Sequence, residues 1–204
     1  MKKALAIGLI LALTLALTGC GNKPETAIDK FFSAIKTYDS EAMSKALTPS
    51  ETDNLGSASE YLKENTNPLE APFIDYLKGN AAKITYEVTG TKVDGDEATV
   101  TVKCKYVDGS ALFGNIIKDL FAEFMSSTLE GKDLTEEELQ QMGVDLLNDN
   151  IATAPETFTE KTIDVACVKV EGKWYVKSVS DELADVVSSN LFSTAKEFSG
   201  TFGE

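Results

Sequence analysis

Val165-Ala166-Cys167-Val168-Lys169-Val170-Glu171-Gly172-Lys173-Trp174-Tyr175-Val176 reads as a β-hairpin, and the rest of the fold is built outward from it. Branched and aromatic residues alternate with polar ones on both sides of Glu171-Gly172, and the glycine supplies the positive φ that a tight hairpin turn needs. A two-residue loop pairs Val170 with Lys173, Val168 with Tyr175 and Cys167 with Val176. One face then collects Ile163, Val165, Cys167, Trp174 and Val176 as the core side. The opposite face holds Ala166, Val168, Val170 and Tyr175. That is apolar for a solvated surface, so cover by a helix or a second subunit is expected, and oligomerisation stays open.

Upstream, Ile84, Tyr86 and Val88 alternate with polar residues, as do Val100, Val102, Cys104 and Tyr106. A two-residue Asp94-Gly95 loop would put these two apolar rows on opposite faces. A three-residue loop over Asp94-Gly95-Asp96, or a bulge near Gly90, restores Val88 opposite Val102 and Tyr86 opposite Cys104; one of the two is expected.

Helical spacing governs the remainder. Ala27, Ile28, Phe31, Phe32, Ile35 and Tyr38 form the apolar stripe of a first helix that starts at Pro24. Asp39 or Ser40 caps a short helix bearing Ala42, Met43, Ala46 and Leu47, which Pro49 stops. Residues 50–68 read as loop with a helical stretch near 59–64, and a helix over 71–78 is ended by Gly79-Asn80. Between the hairpins lies a two-helix insert, residues 109–154. Its first helix repeats Leu112/Phe113, Ile116/Ile117, Leu120/Phe121 and Phe124/Met125; Thr135 and Glu138 form a capping box for its second. The insert either closes the core over the sheet or serves as a lid or docking surface. Asp181 caps one last helix with Leu183, Val186, Val187, Leu191, Ala195 and Phe198 along one side. The fold class is α+β: N-terminal helices packed in a curved antiparallel sheet of about four strands, the insert, and a C-terminal helix.

The 204 residues carry 19 basic residues, all of them Lys, against 33 Asp and Glu, with no His. Without imidazole or guanidinium, the His-centred relays, His metal sites, triads, Arg phosphate clamps and Arg readout of guanine are all excluded. The acidic surface repels phosphate backbones, so no nucleic-acid partner is expected.

Met1-Lys2-Lys3 precedes an apolar run from Ala4 to Leu17, too short to span a bilayer core of roughly 30 Å. Leu17-Thr18-Gly19-Cys20 at its end resembles the lipobox of bacterial lipoproteins, which implies cleavage after residue 19 and lipid, palmitate among its acyl chains, on Cys20. The expected organisation is a signal peptide over 1–19, a lipidated tether over 20–24 and a single domain over 25–204, held at the extracytoplasmic face of the cell membrane. Removing 1–19 takes away Lys2 and Lys3 and no acid, so the mature charge is 17 − 33 = −16.

The run Pro24-Glu25-Thr26-Ala27-Ile28-Asp29-Lys30-Phe31-Phe32 through Tyr38-Asp39, followed by strands ending in Val170-Glu171-Gly172-Lys173-Trp174-Tyr175-Val176, resembles uncharacterised bacterial lipoproteins of the nuclear-transport-factor-2-like superfamily. The resemblance implies a cone of helices packed into a strongly curved sheet. It implies isomerase or dehydratase chemistry as readily as non-catalytic binding or assembly, since a fold does not fix a function. The insert and the last helix depart from the compact pattern.

Chemistry is weighed residue by residue. Asp94, Asp96 and Glu97 lack calcium-loop spacing and suit a turn; Glu136, Glu137 and Glu138 suit a helix N-terminus; neither calls for a metal or other cofactor. Cys104 and Cys167 are either bridged, as an exported protein allows, or two small buried thiols. A cavity between helices and sheet would be lined by Phe31, Ile35, Tyr86 and Trp174. An enzyme would place an acid in it, with Tyr38, Asp39, Tyr86 or Tyr106 as candidates. The reading favoured is a non-catalytic module for a small apolar ligand or an envelope partner protein; the alternatives are a small-molecule enzyme and a structural subunit of an envelope complex.

Overall fold

A computed structural model of the chain describes residues 23–49 and 70–202. The expected signal peptide, Cys20, and the loop and helical stretch expected over 50–68 therefore lie outside the described residues. Strand alternation produces a single antiparallel meander in the order β1-β2-β3-β4: β1 Thr85–Asp94, β2 Glu97–Val107, β3 Phe158–Val170 and β4 Lys173–Val176. Its first hairpin turns over Gly95-Asp96, with Asp94 opposite Glu97, and a bulge between Val88 and Gly90 corrects the register. Val88 thus faces Val102 and Tyr86 faces Cys104, the pairing that the apolar rows require. The second hairpin has Val170 opposite Lys173 and Cys167 opposite Val176 around Glu171 and Gly172, both at positive φ.

One sheet face is the core: Val100, Val102, Cys104, Tyr106, Ile163, Val165, Cys167 and Val176 are all buried. Helix α1 (Pro24–Thr37) lays Ile28, Phe31 and Phe32 onto it, and burial of each large side chain contributes roughly 1.5–3 kcal/mol. Tyr38 ends α1 in the left-handed conformation, with the Asp39 amide donating to the Ala34 carbonyl. Asp39 then caps α2 (Ser40–Ala46), accepting from the Ala42 amide. The chain beyond it runs beside β4, where Leu47 bridges Val176. α3 (Glu70–Ala81) continues through Gly79-Asn80 and ends at Ala81, one residue beyond the expected stop signal, with Asn80 and Ala81 buried.

The other sheet face meets water. Val168 and Tyr175 are half-buried and Ala166 is exposed. The neighbouring strands contribute Thr101, whose hydroxyl donates to Asp164, and the Lys103–Glu160 ion pair. Among the described residues no helix covers the apolar members, which are diluted among polar neighbours.

α4 (Ser110–Leu129) and α5 (Glu136–Thr153) form the insert, with the Thr135–Glu138 capping box in place. Their chief neighbours are each other, α3 and the C-terminal helices, so the insert does not close over the sheet. The single C-terminal helix expected from the periodicity is two: α6 (Asp181–Ser188), capped by Ser180 rather than Asp181, and α7 (Leu191–Phe202). Ser189 and Asn190, at φ 60° and 62°, turn the chain between them.

Candidate functional site

The interior between α1 and the sheet is filled by side chains. Phe31 and Ile35 are packed core residues, and Phe32 stacks on Tyr86 at 4.5 Å between ring centres. The Tyr86 hydroxyl donates to Asp29 Oδ1 at 2.9 Å. Burial first, then the Asp29 hydrogen bond and charge, push its phenol up to about 12. Trp174 belongs to the same buried core and also borders an open groove of about 630 Å³ lined by Lys30, Lys45, Lys173 and Tyr175. The four residues assigned to one cavity therefore pack in or against one core.

Cys104 and Cys167 are both buried and free. Cys104 stands opposite Lys161 and Cys167 opposite Ala98, so they lie six residues apart along the β2–β3 ladder. At about 3.3 Å per residue that is roughly 20 Å, far beyond the roughly 4.4–6.8 Å between Cα atoms that a disulfide spans. Bridging is ruled out by register, and burial raises both thiols to about 12.

A polar joint that periodicity does not reveal ties the end of β2 to the insert and the C-terminal helices. Tyr106, on the core side of β2, donates its hydroxyl to Asn190 Oδ1 at 2.7 Å. Its phenol rises to about 12, through burial first and then the charges of Asp185 and Asp108. Asp108 accepts from the Ser110 amide and hydroxyl. Burial acts against its charged form, but those bonds and one from Asn190 outweigh it and hold the carboxyl below its usual range. Asp185, buried on α6, accepts from the Ser193 amide at 3.0 Å and lies 3.6 Å from Lys161. The Gly109 amide donates to the Ser189 carbonyl at 2.8 Å, an approach with no room for a side chain. Every partner here is supplied from within, as a structural hinge-pin requires. The sequence signal was Ser188-Ser189-Asn190, a small polar run inside a helical pattern.

The remaining enzyme candidates are structural. Tyr38 and Asp39 serve α1 and α2 as caps, and Lys78 lies over the Tyr38 ring. Among the described residues the carboxylates that shift (Glu97, Asp108, Glu130, Glu138 and Glu160) all shift downward, opposite to the raised acid that cavity proton transfer needs. Asp94, Asp96 and Glu97 belong to the first hairpin, where Glu97 pairs with Lys177 at 2.6 Å. Glu136, Glu137 and Glu138 form the first turn of α5. Among the described residues no group of three His, Cys, Asp or Glu side chains is placed to hold a metal ion.

The insert carries six of the eleven exposed large hydrophobic side chains among the described residues. α4 begins in the body, where Leu112 is buried and Phe113 meets Phe198 edge to face. Further along, Leu120, Phe121, Phe124, Met125 and Leu129 are all exposed, Phe121 66%, Phe124 52% and Leu129 83%. Leu139 of α5 joins them, and Phe124, Leu134 and Leu139 border a groove of about 340 Å³ between the helices.

Among the described residues no helix is long and apolar enough to cross a membrane. None of the curated proteins matches this chain. Among solved structures, the chain is similar to a crystal structure named a "putative lipoprotein (ycdA)", from Bacillus subtilis subsp. subtilis str. 168, at 20% identity and a TM-score of 0.41. The match covers 83% of this chain and 47% of that one, so the chain spans about half that protein's length. Residues 20–193 match a family described as Domain of unknown function (DUF5105), and the chain belongs to that family.

Proposed function

We propose that this chain is a lipid-anchored extracytoplasmic module without a catalytic centre, which engages an envelope partner protein through the exposed face of its helical insert. The observation that carries the reading is the stripe from Leu120 to Leu129. A monomer gains nothing by holding two phenylalanines and three further large apolar side chains in water on one helix, whereas an interface core is built of such residues. The anchor rests on the lipobox-like Leu17-Thr18-Gly19-Cys20, and the four residues from Gly21 to Pro24 would keep the domain within roughly 15 Å of the bilayer. A nuclear-transport-factor-2-like cone is compatible with α1 lying against the meander. A small-ligand reading is favoured only by the Trp174 groove, whose three lysines suit an anionic rather than an apolar molecule.

Site-specific photocrosslinking in the native host tests the contact: a probe at Phe121 should yield a defined adduct with a host protein, while one at exposed Val93 on β1 should not. Equal labelling from both positions, or none from Phe121, rejects the surface. Mass spectrometry of the N-terminal peptide tests the anchor, where an unmodified Cys20 in membrane-derived protein rejects lipidation.

A further inference from the structure

Charge surrounding the apolar stripe narrows what can dock on it. Between residues 109 and 154 there are two lysines and nine acids, 2 − 9 = −7, close to half of the mature chain's formal charge on under a quarter of its length. One of the two cations is already neutralised: Lys132 bonds Glu130 at 2.7 Å, and the charges of Glu123 and Glu138 also act on it. The tip therefore combines exposed apolar side chains with an excess of carboxylates, and its groove is bordered by Phe124, Leu134 and Leu139 and by the polar Lys132 and Asp133. A second copy would bring the same −7 against it, and an anionic lipid surface would be repelled in the same way.

Resting on the reading of the insert as a contact surface, we infer that its occupant is a basic amphipathic segment of a partner protein: apolar residues on the α4 stripe, flanking lysines or arginines on the carboxylates. The shared pattern is helix-in-groove recognition with electrostatic selection.

The test uses the full mature chain carrying Cys20→Ser, so that no acyl group confounds it, and two synthetic amphipathic helices. One is built of Leu and Lys; its twin has Glu at every Lys position. The Lys peptide should bind one to one, the Glu twin about tenfold or more weaker. Binding should fall about tenfold or more in about 1 M NaCl, where the Debye length is roughly 3 Å. The double variant Phe121→Ser/Leu129→Ser should lose binding to the same degree while melting at the parent temperature, because both side chains are exposed. Equal binding of the twins overturns the proposal. Binding that the double variant leaves unchanged overturns it too, since that is non-specific attraction to an acidic protein. Flotation of the peptide-free chain with phosphatidylglycerol or phosphatidylcholine vesicles, or a dimer that the double variant dissolves, assigns the face to lipid or to a second copy and equally overturns it. A Phe121 crosslink to a host protein combined with failure of the Lys peptide would sink the basic partner while leaving the contact surface standing; failure of both would sink both.

Discussion

Gly109→Ala and Gly114→Ala, five residues apart at the start of α4, should move stability in opposite directions. At Gly109 an added Cβ would lie 2.9 Å from Tyr76 Oη, 3.1 Å from the Ser189 carbonyl oxygen and 3.3 Å from Leu191 Cδ2. The tyrosine hydroxyl can swing away, but the Ser189 carbonyl is held by the Gly109 amide at 2.8 Å and by the left-handed turn it belongs to. Overpacking of this kind costs about 1–3 kcal/mol. At Gly114, inside the helix, nothing lies within 4 Å of the new Cβ, so alanine contributes about 1 kcal/mol through backbone entropy and helix propensity. For a domain of this size each kcal/mol moves Tm by about 2–4 °C, giving a fall of roughly 2–12 °C at Gly109 and a rise of roughly 2–4 °C at Gly114. Circular-dichroism melts and urea titrations at matched concentration read both. A Gly109→Ala chain that melts at or above the parent temperature would refute the close packing of the insert's first turn against the α6–α7 turn.

Three more outcomes can be checked on the same Cys20→Ser chain. Its intact mass should be identical with and without reductant, and a thiol reagent should find neither Cys104 nor Cys167 until the chain is unfolded; a native mass two protons lighter than the reduced form would contradict the β2–β3 register. Glu171→Asn should raise stability by about 0.5–1 kcal/mol, because asparagine tolerates the positive φ that Glu171 holds beside Gly172; a loss in urea titration would argue against the strained turn. The Tyr106 phenol sits at about 12 in the folded chain and near 10 when unfolded, so its stabilising contribution is fully present below about pH 10 and is lost as pH rises toward 12. Tyr106→Phe should lessen that alkaline decline, to which Tyr86, Cys104 and Cys167 also contribute, while lowering stability at neutral pH by about 1–3 kcal/mol, since Asn190 Oδ1 loses its donor; an unchanged alkaline slope would dissociate Tyr106 from it.

The sheet was legible because period-two alternation admits one register. Once Val88 and Tyr86 had to face Val102 and Cys104, a bulge near Gly90 was one of two ways to obtain it. Helix α1 was equally plain, since Ile28, Phe31, Phe32 and Ile35 repeat at helical spacing after a proline. What the sequence concealed were interactions without a period. The C-terminal helix breaks at Ser189-Asn190 although Val186, Val187 and Leu191 continue the stripe across the break, because Asp185, Asn190 and Tyr106 satisfy one another only if the chain turns there. Gly79 signalled a helix end, yet α3 passes through it because nothing crowds the position and Ala81 is drawn into the core beyond it. The assignment of Phe31, Ile35, Tyr86 and Trp174 to one cavity failed for a related reason: facing inward is a property of a strand or helix side, while enclosing a void depends on side-chain volumes that spacing does not encode.

The insert makes the same point about function. A stripe repeating every four residues from Leu112 to Met125 says that one side of α4 is apolar; it does not say what meets that side. Length decides it. Twenty residues make a helix of roughly 30 Å, in which Leu112 of the first turn is the fully buried side chain. Leu112 is buried and Phe113 packs edge to face on Phe198, whereas Phe121, Phe124 and Leu129 farther along are exposed. α5 packs beside α4, with Asn150 donating to Asp119, but its first turn is Glu136, Glu137 and Glu138, and Phe121, Phe124 and Leu129 stay exposed. The apolar period that builds a core in the first turns therefore becomes, in the last turns, a surface that only another molecule can bury, and the acidic turn that begins α5 sets the charge such a molecule must carry.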